Sequence, residues 1–516
     1  MPEAGTTRRR STPRRMRVAC TPTERRPGSG RCPSRRSRRS GGSWAAPAGR
    51  SERSSPMPCR FNREIFRLVP GLLTLSLAAH AEDVPEPREP PRYAGIRYLE
   101  DWADPSRRPG EDPFDRVKYV PLAEQVYLSF GGQHRLRYEL TEGWEGPLPE
   151  SVLLSRNLLH VDAHAGPLRA FVQLGAHFAL GAPSRDAPPG SDLFDVQQAF
   201  VEWRARAREV RFVARVGRQE MALGSTRWVS TRDGTNVRQA FDLARLTATG
   251  DGWNVEGFGG VVPQLERGVL DDAPSWRSRF WGVYATVNVL PRKQFSFDAF
   301  YLGRDRPSVT YGEVEGREVR HMVGVRGFGE TESGFEYNGH ALLQAGTVGG
   351  DRVLAWGLAG GLWQRLPFAP LRVGVRGDAL SGDRRAGDGR VSTFHAWFPN
   401  QTFFSALPLI YPSNLYEVHP LVQWELDAVS LEAGSVFFFR QSVHDAVYTP
   451  PGDVLVPPSV STARYTGAQL SLSLGYRVTR HVQFNAEYSH VFAGPALRAA
   501  TGGDVDFLGT WTTFTY

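Results

Sequence analysis

From Val126 to Tyr516 the chain is divided into stretches of about eleven to fourteen residues in which polar and apolar side chains alternate. The stretch His481 to Phe492, HVQFNAEYSHVF, shows the pattern. Gln483, Asn485, Glu487 and Ser489 fall on one side of an extended chain, and Val482, Phe484, Ala486 and Tyr488 on the other. A period of two belongs to a strand and not to a helix. Such stretches begin near residues 126, 152, 168, 195, 209, 238, 252, 277, 293, 319, 334, 351, 371, 417, 429, 464, 481 and 505. Each has the length a tilted strand needs to cross a bilayer, roughly 9–11 residues in the lipid.

The connections decide between a soluble sandwich and a membrane barrel. They alternate between short ones, such as Gly166-Pro167, Gly250-Asp251-Gly252, Pro291-Arg292-Lys293 and Thr479-Arg480, and long ones over 181–194, 220–237, 263–276, 305–318, 382–416, 441–463 and 494–504. Short periplasmic turns and long extracellular loops mark an outer-membrane barrel. The expected fold is therefore all-β: a transmembrane antiparallel up-and-down barrel of about 18 strands over 126–516, localised to the cell outer membrane. The polar faces carry charge. Arg135, Arg137 and Glu139 alternate with Leu136, Tyr138 and Leu140, and Arg372, Arg376 and Asp378 with Leu371, Val373, Val375 and Ala379. An Arg facing mid-bilayer lipid costs roughly 2–4 kcal/mol, so these faces should point inward. Eighteen strands enclose more space than side chains fill, which predicts a wet lumen.

The N-terminal portion is of another kind. Residues 1–56 are Arg, Ser, Pro and Gly without apolar periodicity, and are read as a mis-called start or a disordered basic segment. Arg60, Arg63 and Arg67, an apolar run from Leu68 to Ala79 and the Ala79-His80-Ala81 triplet form a signal peptide over 57–81, with the mature chain starting at Glu82. Residues 82–125 then form a periplasmic N-terminal segment. Removing the 18 Arg and 4 acidic residues of 1–81 from the totals of 62 basic and 54 acidic leaves 44 and 50, a net charge of −6. The apparent basicity belongs to the removed part, and nucleic acid loses its support as a partner. Cys20, Cys32 and Cys59 also precede the cleavage point, which leaves the mature chain without a disulfide or a Cys metal site.

Three stretches carry a family resemblance: RYLEDWADPSRRPGEDPFDRVKYVPL with YLSFGGQHRLRYE (Arg97 to Glu139), VGRQEMALGSTRWVSTRDGTNVRQAFDLARL (Val216 to Leu246) and TFHAWFPNQTFF (Thr393 to Phe404). They resemble the alginate-export family of eighteen-stranded outer-membrane proteins. Gly217-Arg218-Gln219, with Asn236-Val237 and Phe241-Asp242 downstream, is the most specific part. The resemblance implies an Arg-rich lumen, crossed by acidic residues, through which an anionic polysaccharide leaves the cell. Periplasmic export proteins are the candidate protein partners, and the barrel is expected to be monomeric. The mature chain has 42 Arg against two Lys, Lys118 and Lys293. The Arg fork can bind carboxylates bidentately.

Arg135, Arg137, Arg218, Arg238, Arg245, Arg372 and Arg376, interrupted by Asp242 and Glu487, are the candidate lumen residues. Arg238 and Asp242 are presumed partners on one face, with Arg245 off that face unless a bulge intervenes. In the family a long periplasmic turn late in the barrel plugs the pore, whereas Val478 to His481 is minimal here. Gating then falls to outer loops such as 181–194 and 382–416, or the pore stands open.

A diffusion porin for small anions or sugars is the alternative reading. Enzymatic chemistry has little support, since no G-x-S-x-G elbow is present. His160, Asp162 and His164 share a face and could hold a metal, but a polar lumen face that happens to carry two histidines explains them far better. No catalytic residue, metal or cofactor is assigned.

Overall fold

A computed structural model describes residues 93–516 apart from 105–107, 109, 111, 144–150, 182–188, 291–292, 313 and 401. The segment 1–56, the signal peptide 57–81 and the expected cleavage before Glu82 lie outside the described residues, as do residues 182–188 of the stretch 181–194.

Eighteen strands form the barrel. They are β1 (Val126–Glu142), β2 (Ser151–Ala165), β3 (Leu168–Leu180), β4 (Asp192–Ala207), β5 (Val210–Glu220), β6 (Ala240–Gly250), β7 (Trp253–Gln264), β8 (Ala273–Asn288) and β9 (Ser296–Tyr311). The second half comprises β10 (Val314–Glu330), β11 (Phe335–Val348), β12 (Asp351–Arg365), β13 (Leu371–Leu380), β14 (Leu415–Leu426), β15 (Val429–Arg440), β16 (Tyr465–Arg477), β17 (Val482–Ala493) and β18 (Val505–Thr515). Neighbours pair antiparallel in sequence order, and β18 closes on β1 from Gln133↔Thr515 to Glu142↔Asp506. Closure removes the edges that hydrocarbon cannot tolerate.

The outer surface follows the alternation. Leu136 is 44% exposed and Leu343 57%, whereas Arg135 and Gln344 are buried. On β17, Tyr488 and Phe492 face outward and Glu487 and Ser489 inward. No helix among the described residues is long and apolar enough to cross a membrane.

Two expectations need correction. The stretch 305–318 is not a long loop. Strands β9 and β10 run through it and Tyr311 pairs with Val314. An apolar cluster of Tyr311, Val348, Val353 and Val391, joined by Val309 and Val314, gives this hairpin something to pack on. The second is the lumen, which chain from two loops fills further than the strand count suggests. Residues 221–239, between β5 and β6, and 381–414, between β13 and β14, fold inward.

Met221, Trp228 and Val229 of the first loop and Phe394, Trp397 and Phe398 of the second join Phe241, Phe280 and Phe300 of the wall in one apolar cluster. Burying each large apolar side chain contributes roughly 1.5–3 kcal/mol, enough to offset ordering of the loops. Val229 and Phe398 form a parallel bridge, with Ser230 N–H donating to Phe398 O and Phe398 N–H to Trp228 O. The two loops thus brace each other across the barrel.

Candidate functional site

The brace is tied to the wall by the charges that the alternation placed inward. Arg135 donates to Asp233 O (2.8 Å) and Thr235 O (2.9 Å). Arg137 donates to Gly234 O (3.1 Å), pairs with Glu139 (2.7 Å) and lies over the Trp511 ring. Arg156 is fully buried and donates to Asn236 O, Asp233 Oδ1 and Thr235 O. Asn236 in turn donates to Ser155 O, Phe178 O and Gly190 O. Enclosure would raise the Asp233 carboxyl, but Arg156, Arg238 and Arg135 outweigh it and hold the group well below the usual carboxylate range. Solvent still reaches that side chain, so the guanidiniums rather than exclusion from water fix its charge.

The presumed Arg238–Asp242 pair does not form. Arg238 precedes β6 and pairs with Glu220 (3.0 Å) and Asp233 (3.5 Å). Asp242 pairs with Arg218 (2.8 Å), its register partner on β5. Both fall on the side of exposed Val216 and Leu246, away from buried Phe241 and Leu243. Arg245 is on the inward side and pairs with Glu256; the β6–β7 register runs without a bulge. Gly217 explains part of the motif. Its φ is +130°, and a Cβ there would stand 2.3 Å from Ala199 O on β4, so only glycine lets the strands close beneath Arg218.

On the opposite wall Arg372 bonds Glu336 and Gln423. Glu487 accepts from Ala406 N–H (2.5 Å), and so holds the second loop. Arg376 donates to His419 Nδ1 (3.0 Å) and Phe403 O (3.4 Å). Arg376 is partly exposed and has no ion pair among the described residues.

Two arginines with the same property escaped the sequence reading. Arg232 (2.9 Å) and Arg304 (3.4 Å) both donate to Trp397 O, both lie over the Phe398 ring, and neither is ion-paired among the described residues. Arg232 is in a loop without periodicity. Arg304 is on β9 where 305–318 was expected to be loop, so its inward parity with Phe300 and Leu302 was cut short.

The N-terminal segment docks against the barrel at the short-turn end. Arg97 donates to Tyr516 O (2.8 Å) and Arg238 to Gly95 O (2.7 Å). Tyr98 is buried edge-on against Phe171 and Phe200, and its hydroxyl donates to Glu220 O (2.8 Å). Arg169 donates to Tyr98 O, and to Asp162, which also meets His164; Asp162 is thus occupied, and His160 stacks on Phe171. Arg480, in the minimal turn, pairs with Asp112 and Asp115 at 3.3 Å each. The strap therefore stands where a long turn would otherwise reach. Lys118 donates to Phe130 O (2.9 Å) and faces the Tyr93, Trp102 and Tyr516 rings. Burial pushes its ammonium down, with Arg97 adding to it and Glu100 opposing, to about 7.

Comparison with known proteins gives the same architecture. The family described as Alginate export matches residues 126–510. Among solved structures, Acinetobacter baumannii OccAB1 superposes with a TM-score of 0.53 at 12% identity, covering 75% of this chain and 96% of that one. Pseudomonas aeruginosa OccK11 (OpdR) gives 0.50 at 12%, covering 75% and 95%. At such identity the likeness is one of fold. No curated protein sequence matches the chain.

Proposed function

Because the chain belongs to the alginate-export family and is an outer-membrane channel for solutes, we propose that it passes carboxylate-bearing solutes one at a time along guanidiniums left free of ion pairs. The observation that carries this is the Arg232–Arg304 pair on Phe398, in the brace where the two inward loops meet. Arg376 is a third station beside Phe403 O. The other candidate arginines, Arg135, Arg137, Arg218, Arg238, Arg245 and Arg372, are spent on Asp233, Glu139, Asp242, Glu220, Glu256 and Glu336 in turn, and so mainly hold structure. A free guanidinium offers a carboxylate two parallel hydrogen bonds. Conduction also needs release, which the lumen carboxylates and the Trp397 carbonyl supply by competing for the same donors.

A braced lumen favours a uronate monomer, a short oligomer or another small organic anion over a folded polymer. The chemistry of transport is passage rather than reaction, and the residues above have no acid–base or nucleophilic part in it.

Exchanging Arg232 and Arg304 together for Ala is expected to lower anion over cation permeability in planar bilayers and to weaken current block by oligouronate at least tenfold. Lys at both positions should keep the selectivity yet lose most of the block, since an ammonium lacks the fork. Unchanged block in both double variants would remove these residues from the path.

A further inference from the structure

The lipid-facing side of the barrel changes character at one level on strands β8 to β12. Trp281 of β8, Gly303 of β9 and His321 of β10 are register partners on that side. The Trp281 indole lies on Gly303, where a Cβ would stand 2.2 Å from the ring. Its Nε1–H donates to the Tyr301 hydroxyl (3.3 Å), which also hydrogen-bonds with His321 Nδ1 (2.8 Å). Val283, Val323 and Val325 are exposed on the short-turn side of this group. Aromatic rings with polar tips at the limit of an apolar band mark the membrane–water interface.

One step further toward the long loops the outer side becomes cationic. The next row runs through Arg279, Asp305, Val319, Thr347, Arg352 and Arg390, each the register partner of the one before. Two residues of strand, roughly 6.6–6.8 Å, separate it from the rings. Buried Val353 and Val391 put Arg352 and Arg390 on the outer side, as buried Phe280 does Arg279. Arg317 holds both oxygens of Asp305 (2.9 and 2.7 Å) while its own side chain stays 65% exposed. Arg279 spends its Nε on Trp276 O (3.1 Å). Glu315 stands further out on β10, and Asp388 Oδ1 accepts from Arg390 N–H (3.0 Å). Arg352 and Arg390 are adjacent, yet neither has an ion pair or a side-chain hydrogen bond among the described residues. Like charges at opposed positions destabilise a sheet, so this pair calls for an anion from outside the chain.

We propose that Arg279, Arg317, Arg352 and Arg390 form a docking surface for a phosphate-bearing lipid of the outer leaflet. The aromatic rings set the depth: with Trp281 and Tyr301 at the interface, the guanidiniums stand at the height of headgroup phosphates. The guanidinium fork matches two phosphate oxygens at once, and the apolar wall beneath receives the acyl chains. Neighbouring strands lie about 4.8 Å apart, so Arg279 on β8 and Arg352 on β12 span roughly 19 Å. That width suits a headgroup with two phosphates better than a single ion. The surface is outside the lumen and independent of the path through it.

The barrel, refolded in detergent free of lipopolysaccharide, is mixed with diphosphoryl lipid A or with the same lipid after enzymatic removal of its phosphates. Bound lipid is counted by native mass spectrometry, with and without about 10 mM inorganic phosphate. The wild type should retain the diphosphoryl form about tenfold more than the dephosphorylated one, and inorganic phosphate should not displace it. Arg279→Ser/Arg352→Ser/Arg390→Ser should lose that preference while keeping the heat-modifiable gel mobility of a closed barrel. Should that variant not fold, Arg352→Ser/Arg390→Ser serves, because both side chains are exposed. Arg206→Ser/Arg208→Ser/Arg211→Ser, which removes as much charge at the exposed β4–β5 turn, should keep the preference. Equal retention of the two lipids by the wild type overturns the proposal. So does a preference that survives the rim substitutions, one lost equally in the β4–β5 variant, or displacement by inorganic phosphate.

Discussion

Replacing Arg156 with Ala is expected to free the loop 221–239 from the wall and raise single-channel conductance several-fold. Arg156 has no solvent exposure, and its guanidinium is shared among Asn236 O, Asp233 and Thr235 O. Each charged hydrogen bond contributes roughly 1.5–3 kcal/mol, and removal leaves buried acceptors without donors. Solvent can take over at Asp233, which discounts the sum to about 3 kcal/mol for the docked loop. That is enough to shift a loop from closed to mostly open. Arg156→Lys retains the charge but cannot reach three acceptors at once, so an intermediate conductance is expected. The barrel, held by eighteen ladders that Arg156 does not join through its side chain, should keep its gel mobility. Conductance equal to wild type, with the loop shown loosened by proteolysis after Arg232, would mean that this loop does not limit the path.

The second large effect concerns the strap. Joining residue 92 directly to Tyr119 removes Tyr98 from the Phe171–Phe200 pocket, Arg97 from Tyr516 O and the Asp112–Arg480 contact together. Current should rise more than for Arg156→Ala, because the whole short-turn mouth is cleared. The wild-type strap should also respond to alkali. A free Lys118 protonates below about 10.4, whereas the docked one does so only below about 7. Between those values the released strap binds a proton that the docked strap does not, so raising the pH from 7 to 10 strengthens docking and reduces current. Below pH 7 both forms are charged and the dependence ends. Lys118→Met should abolish it. A truncated channel with wild-type current would show that the strap lines the mouth without obstructing it.

The strands were legible because a period of two and Gly- or Pro-bearing turns are local properties. Val126, Leu168, Asp351, Leu371, Val429 and Val505 begin strands where the sequence put them, and the largest displacement is at Val314, expected at 319. Charged faces were legible too, since lipid excludes Arg135 and Arg137. The filling of the lumen was not. Phe241, Phe280 and Phe300 are as apolar as any lipid-facing residue, and nothing local says that a loop some hundred positions away will cover them.

Ion-pair partners were lost for the same reason. Arg218 meets Asp242 through strand register, and Arg238 meets Glu220 because the chain turns before β6; spacing along the sequence encodes neither. The family motif was informative at Gly217, where close strand approach requires glycine, and misleading at Arg218 and Asp242, which it drew into the lumen.

The reversal potential of a single wild-type channel under a tenfold KCl gradient (about 1 M against 0.1 M) tests the central claim most directly. The free guanidiniums of Arg232, Arg304 and Arg376 predict a reversal potential on the chloride side, and current that oligouronate blocks at concentrations where neutral oligosaccharide does not. A cation-selective channel, or one blocked equally by the neutral sugar, would contradict an anion path through this barrel.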